Sequence, residues 1–221
     1  DSTDISFSVW EGAAPFNVTL NDGTADSYWL MDSNGTVNGL PVTVSPNNST
    51  TYSLVEVTDA NGCWNELNGN ATIIVHDLPT ALISGTTTLC EDEFTPITFT
   101  LQNGLPPYNV NYNINGVATS NSFSNSGINT IMVNPSTTTV YSLVDIMDAN
   151  NCFNTASDSA TINVNEKVNV TINGGGDICN DGSQVTIDII TNDSTFINVT
   201  YTNGSDTMTL SGIGPFEIIT N

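Results

Sequence analysis

From Thr50 to Cys63 apolar and polar positions alternate, with Tyr52 and Leu54 in phase, until the phase slips once and the next apolar residue on that face is Val57. The same pattern returns in TTVYSLVDIMDANNC, Thr138 to Cys152, where Tyr141 and Leu143 are followed three residues later by Ile146. Period-two alternation marks a strand with one buried face. A single extra residue within it marks a β-bulge, and its return at the same place argues that it is built in. Each copy then runs into Asp-Ala-Asn, whose short polar side chains bond nearby backbone in turns, and ends on a cysteine. Further strands are expected at Ile5–Val9, Phe16–Leu20, Leu40–Val44, Ala71–Val75, Ala81–Ser84, Ile97–Leu101, Tyr108–Tyr112, near Phe123, and at Thr130–Val133 and Ala160–Val164. No stretch carries a helical period.

The pattern is periodic on a longer scale. Cys63 and Cys152 are 89 residues apart, as are Cys90 and Cys179, and Pro46 with Pro135, Tyr52 with Tyr141 and Ile83 with Ile172 keep that offset. Such self-similarity is the mark of a repeat array, and about 90 residues can bury a core of their own. The expected organisation is a first repeat over 1–77 lacking its first strand, a complete repeat over 78–166, and the truncated start of a third over 167–221. The third is expected to supply four strands. His76-Asp77-Leu78-Pro79 reads as a linker, because proline removes a ladder donor and restricts the residue before it. Short strands separated by turn residues predict an all-β fold of antiparallel β-sandwiches in a linear array.

Composition narrows the chemistry. One lysine stands against 23 acidic residues, giving a formal net charge of −22. Phosphate backbones need clustered cations, so nucleic acid is excluded as a partner, and anionic membrane surfaces are disfavoured. No run approaches the roughly 18 apolar residues of a membrane-spanning helix. Asp1 in the place of an initiator methionine is expected of a processed chain or of a window from a longer one. Periodic cysteines in a chain rich in Asn, Ser, Thr and Gly point to an oxidising, extracellular setting.

Candidate chemistry is sparse. His76 is the sole histidine and lies in the linker, so a nucleophilic triad has no base within the repeats and no enzyme is expected. Gly174-Gly175-Gly176 is followed by no Lys-Ser/Thr, so it is no phosphate loop. No cofactor is expected, although Glu91-Asp92-Glu93, Asp177 with Asp181, and the turn aspartates Asp59 and Asp148 offer oxygen ligands for calcium. The solvated acidic surface is the competing reading. Trp10, Trp29 and Trp64 are candidates for a sugar-stacking platform, against packing in core and loops. The sequons, such as Asn17-Val18-Thr19, matter in a eukaryotic source alone.

Four stretches carry a resemblance: Thr88-Leu89-Cys90-Glu91, Gly104-Leu105-Pro106-Pro107-Tyr108, Asn134-Pro135-Ser136-Thr137-Thr138-Thr139-Val140-Tyr141, and Asp148-Ala149-Asn150-Asn151-Cys152. Through them the whole chain resembles the Ig-like or PKD-like repeats of giant Bacteroidota cell-surface adhesins of the gliding-motility, SprB type. Asn151 departs from the pattern where glycine is usual, and Ala13-Ala14 and Asp193-Ser194-Thr195 replace the Gly-x-Pro-Pro turn. The resemblance implies tandem Ig-like sandwiches, type IX secretion, display at the cell surface, and a structural or adhesive role in gliding or attachment. It also implies a disulfide closing each unit, Cys90 with Cys152, which leaves Cys63 and Cys179 to partners outside 1–221. The other connectivity open is Cys63 with Cys90 and Cys152 with Cys179. The group's O-glycosylation motif, Asp then Ser or Thr, marks Ser2, Ser159, Ser194 and Thr207.

The function expected is that of stalk repeats in an adhesin filament, with neighbouring repeats, a surface glycan or substratum, and the outer-membrane export and motility machinery as partners. Carbohydrate-binding or spacer modules of a large extracellular enzyme are one alternative. A fibre subunit completed by strand donation is another. Because Lys167 is the only basic side chain, trypsin should cut the chain after residue 167 alone; mass spectrometry of the digest gives two fragments, and a third would contradict the reading.

Overall fold

The computed structural model describes residues 2–6, 9, 11–31, 42–179, 183–192 and 194–220. All regular structure among them is β. Of the expected strand residues, Phe7, Ser8, Leu40 and Pro41 lie outside the described residues.

The strands fall into three groups. The first holds β1 (Thr3–Ile5), β2 (Phe16–Asn21), β3 (Asp26–Met31), β4 (Val42–Val44), β5 (Thr50–Thr58), β6 (Trp64–Glu66) and β7 (Asn70–Ile73). The second holds β8 (Thr80–Ser84), β9 (Thr87–Cys90), β10 (Thr95–Gln102), β11 (Tyr108–Ile114), β12 (Val117–Phe123), β13 (Gly127–Val133), β14 (Thr139–Met147), β15 (Phe153–Thr155) and β16 (Ser159–Asn165). The third holds β17 (Val170–Gly174), β18 (Val185–Thr191), β19 (Phe196–Thr202), β20 (Thr207–Ile213) and β21 (Phe216–Thr220).

The second group is a complete Ig-like sandwich. One sheet runs β13-β10-β8, and the other runs β12-β11-β14-β16-β9 with β15 added on β14. All its pairings are antiparallel except that of β9 with β16. Alternation puts Ile97, Phe99 and Leu101 of one sheet against Val110, Tyr141, Leu143, Ile146 and Ile162 of the other, and this is the core. The Phe99 ring lies 5.3 Å from that of Tyr112 and 5.1 Å from that of Phe123, joining the layers through aromatic packing.

The first group repeats this register residue for residue. Tyr52 lies opposite Ala71 as Tyr141 lies opposite Ala160, and Thr50 opposite Ile73 as Thr139 opposite Ile162. The phase slip is the expected bulge, twice over. The β2–β5 ladder passes from Glu56 to Leu54 over one step of β2, and the β11–β14 ladder passes from Asp145 to Leu143 over one step of β11, which leaves Val55 and Val144 unmatched. Their carbonyls accept instead from the N–H of Leu67 and Ala156, each at 2.9 Å.

The third group pairs β17-β18-β21 and β19-β20. Its kinship with the second is clearest at a glycine. A side chain on Gly85 would meet the Pro96 carbonyl at 2.7 Å, and one on Gly174 the Thr186 carbonyl at 2.4 Å; both residues have positive φ, which glycine alone adopts readily.

Strand assignments differ from the sequence reading in several places, among them β6 and β15, where no strand was expected, and β1, which ends at Ile5 where a strand was expected to begin. Asp26–Met31, where no strand was expected, forms β3, an edge strand exposed except at Met31, so neither of its faces imposes an alternation. Thr87–Cys90 pairs in parallel with β16 and buries Leu89 alone, too little for a pattern. The third group has five strands rather than four.

Candidate functional site

The turn after the bulged strand is the most strongly bonded polar feature of the repeat. In the second sandwich, Asp148 Oδ1 accepts from the N–H of Asn150 and of Cys152, each at 2.9 Å, while Oδ2 accepts from the N–H of Leu105 at 2.9 Å. The Ala149 N–H then donates to the Leu105 carbonyl at 2.9 Å. One carboxylate thus ties its own turn to the loop between β10 and β11. The first group is built alike: Asp59 Oδ1 accepts from Asn61 and Cys63, Oδ2 from Ala13, and Ala60 donates to the Ala13 carbonyl. The left-handed position of the turn is held by Gly62 in one copy and by Asn151, with φ 62°, in the other, because asparagine tolerates that region. Although the sequence departs from Gly-x-Pro-Pro at Ala13-Ala14, Ala14–Pro15 is cis like Pro106–Pro107.

The electrostatics follow. Burial raises the Asp148 pKa, but the N–H donors of Leu105, Cys152 and Asn150 and the nearby His76 outweigh it, and the net position lies below the ordinary aspartate value. Asp59 is lowered chiefly by the Ala13 N–H, then by that of Cys63. Burial, then the Asp148 charge, raises the neighbouring Tyr108 and Cys152. Calcium ligands need free oxygens, and at both turns the carboxylate oxygens face N–H donors instead. Among the described residues, no group of three or more His, Cys, Asp or Glu is placed to hold a metal ion. Asp181, named with Asp177 in the sequence, lies outside the described residues.

The structure does not bring the cysteines of one unit together, and none of the four is in a disulfide in it. Cys90 lies opposite Asn165, three residues past the Ile162 that faces Thr139 at the start of β14, whereas Cys152 follows Met147 at the other end of that strand. At about 3.3 Å per residue the two cysteines stand on the order of 30 Å apart, and a disulfide needs Cα atoms within about 7 Å. Parallel pairing of β9 with β16 is what carries Cys90 to the far end. The alternative pairs are not formed either; Cys63 and Cys90 each sit at the end of their own sheets remote from the 74–79 linker.

The aromatic candidates do not converge. Trp29 lies opposite Val18, which lies opposite Val57, which lies opposite Asn65; Trp64, next along β6, therefore takes the other face of that sheet. Trp10 lies outside the described residues. Ser2, Ser159, Ser194 and Thr207 are all exposed. Asp158, preceding Ser159, accepts from the Ile83 N–H, and Asp1 and Asp193 of the other motifs lie outside the described residues. Lys167, between β16 and β17, pairs with Asp92. The sequence reading missed the Asp148–Leu105 tie because its partners are 43 residues apart, although the recurrence of Asp-Ala-Asn marked one half of it.

No family model matches the chain, and no curated protein matches it. Among solved structures it is similar to the fibronectin(III)-like modules of Clostridium thermocellum CbhA, at 16% identity and a TM-score of 0.35, over 75% of this chain and 86% of that one.

Three outcomes are expected. Asp148→Ala leaves three backbone donors without their acceptor and should cost on the order of 3 kcal/mol of the second sandwich's stability in urea unfolding; a loss below about 0.5 kcal/mol would refute the tie. Because the folded pKa of Asp148 and Asp59 lies below the unfolded value, their contribution is complete above the unfolded pKa near 4 and is lost as pH falls through the folded value. Thermal melts should therefore lose stability below about pH 4, and Asp148→Asn should lose less over that range. Separately, peptide mapping of the air-oxidised, unreduced chain should contain no Cys90–Cys152 peptide within monomers, and finding one would overturn the register of β9.

Proposed function

We propose that the chain is a run of structural repeats from a very large secreted cell-surface adhesin filament, serving gliding or attachment as a spacer that gives reach and cohesion. The observation that carries the reading is the duplicated turn. The most distinctive polar side chains of the repeat, Asp59 and Asp148, spend their hydrogen-bonding capacity on their own module's loops, which is the economy of a scaffold. A module whose recurrent polar residues face inward to backbone supplies no recurrent chemistry to a substrate.

In this reading 1–77, 78–166 and 167–221 are successive units, held apart by the segments around His76 and Lys167. Their partners are neighbouring repeats, an outer-membrane export and motility apparatus, and a glycan or substratum at the distal end. The place of action is outside the cell, where the exposed Ser2, Ser159, Ser194 and Thr207 accept O-linked sugar. The −22 charge keeps neighbouring filaments apart and soluble.

Two measurements test this. Immunogold labelling of the source cells with antibody to the chain should decorate extracellular filaments, and label confined to the cell interior would contradict it. Pulled end to end, the second sandwich should unfold as one event that lengthens the chain by about 30 nm, as 89 residues at roughly 3.5 Å each require; gradual extension without a force peak would argue against a load-bearing unit.

A further inference from the structure

One outer sheet face of the first group carries side chains that the fold does not call for. The ladders of β3, β2, β5 and β6 place Leu30, Asn17, Thr58 and Trp64 side by side on the face turned away from Val18 and Val57, with Tyr28, Thr19, Glu56 and Glu66 in the next row. Tyr28 and Leu30 are each 68% exposed and Trp64 is 64% exposed, whereas Thr19, between Tyr28 and Glu56, is buried. Tyr28, rather than Trp29, is thus the aromatic residue that shares a face with Trp64. Three strand spacings and one row separate the two, about 16 Å.

The other groups keep the ladder and not these residues. In the second sandwich Ser120 and Ser122 take the places of Tyr28 and Leu30, opposite Asn111 and Asn109. In the third group Thr209 and Ser211 take them, opposite Thr200 and Asn198. Polar side chains there bond one another across strands: Asn111 Nδ2 donates to Asp145 Oδ1 and Ser211 Oγ to Asn198 Oδ1, each at 2.6 Å. In the first group the side chains of Asn17, Thr58, Glu56 and Glu66 have no such partner among the described residues. Exposed rings beside unspent hydrogen-bonding groups mark a surface kept for a ligand.

The residue set selects that ligand. Carboxylates at neutral pH accept hydrogen bonds and donate none, so the ligand has to bring donors. The chain's one basic side chain is Lys167, outside this face, so an anionic ligand is repelled. A sugar ring meets both demands, with an apolar C–H face to lie on an aromatic ring and a rim of hydroxyl donors. The distance between Tyr28 and Trp64 calls for a chain of several such rings. A basic protein would also supply donors, but a protein interface centres on a continuous apolar core, and here Thr58 and Glu56 lie between the aromatics.

We propose that the outer face of β3-β2-β5-β6 binds an extended, uncharged polysaccharide, with sugar rings stacked on Tyr28 and Trp64 and hydroxyls donating to Glu56 and Glu66. Leu30 adds apolar cover beside Tyr28. The inference deepens the attachment role proposed above and rests on it for its biological meaning; binding by the purified chain is measured apart from filament location and load, so either reading can fail alone.

Native affinity electrophoresis of the full 221-residue chain through gels containing hydroxyethylcellulose, glucomannan or alginate is the test. Retardation by at least one of the two neutral polymers, and none by anionic alginate, is expected. Tyr28→Ala and Trp64→Ala should each weaken retention about tenfold, with thermal melts unchanged because both side chains point away from the core. Phe153→Ala, at the position of Trp64 in the second sandwich, should leave retention as it was. Free migration in both neutral gels, undiminished retention of the Tyr28 and Trp64 variants, or retention by alginate would overturn the proposal. So would capture by immobilised polylysine that both variants abolish and neither neutral polymer competes away, since the face would then belong to a basic protein.

Discussion

A carboxylate that accepts hydrogen bonds from the backbone of two different loops is the constraint on which the repeat depends. Asp148 stands at the end of the longest strand of its sandwich, where a chain leaving a bulged ladder has N–H groups pointing away from either sheet. Unmet, each of these part-buried donors would cost about 1 kcal/mol. The aspartate meets those of Asn150 and Cys152 and reaches across to Leu105 on the opposite connection. This closes one end of the sandwich, and Asp59 does the same with Ala13 in place of Leu105. Duplication down to the accepting oxygen makes these two places one structural device rather than two similar turns.

The tie depends on what surrounds it. The bulge at Val144 rotates the end of β14 so that Ile146, rather than Asp145, enters the core, and so brings the turn over the loop between β10 and β11. Tyr108 follows that loop, with its ring fully buried and its hydroxyl donating to the Asn103 carbonyl at 2.7 Å. Strand, turn and loop are thereby joined by apolar burial beneath and by a charge-assisted network above, and the cysteines are spare to this arrangement.

How far the sequence disclosed this follows from where each signal resides. The bulge was readable because burial writes itself into the spacing of Leu143 and Ile146, and its repetition at Leu54 and Val57 removed coincidence. Repeat length was readable from cysteines and tyrosines at a common offset. What could not be read was pairing at a distance. β9 buries only Leu89, so nothing local announces that it runs parallel to β16 and carries Cys90 to the end of the sandwich opposite Cys152. β3 was hidden because both of its faces are exposed, and exposed aromatics such as Tyr28 read as readily in a loop. That β5 is only half-buried where β14 is buried leaves no trace in the sequence of β5 itself, which is nearly that of β14.

The account turns on whether the two aspartates hold the two turns in solution. Amide hydrogen exchange by NMR on the intact chain at neutral pH addresses it at single residues. The account predicts slow exchange at the N–H groups of Leu105, Asn150 and Cys152, and likewise at Ala13, Asn61 and Cys63, with protection relative to the intrinsic rate falling at all six as the carboxylates are protonated in acid. Fast exchange at Leu105 and Ala13 under neutral conditions, with the sheets themselves protected, would contradict it.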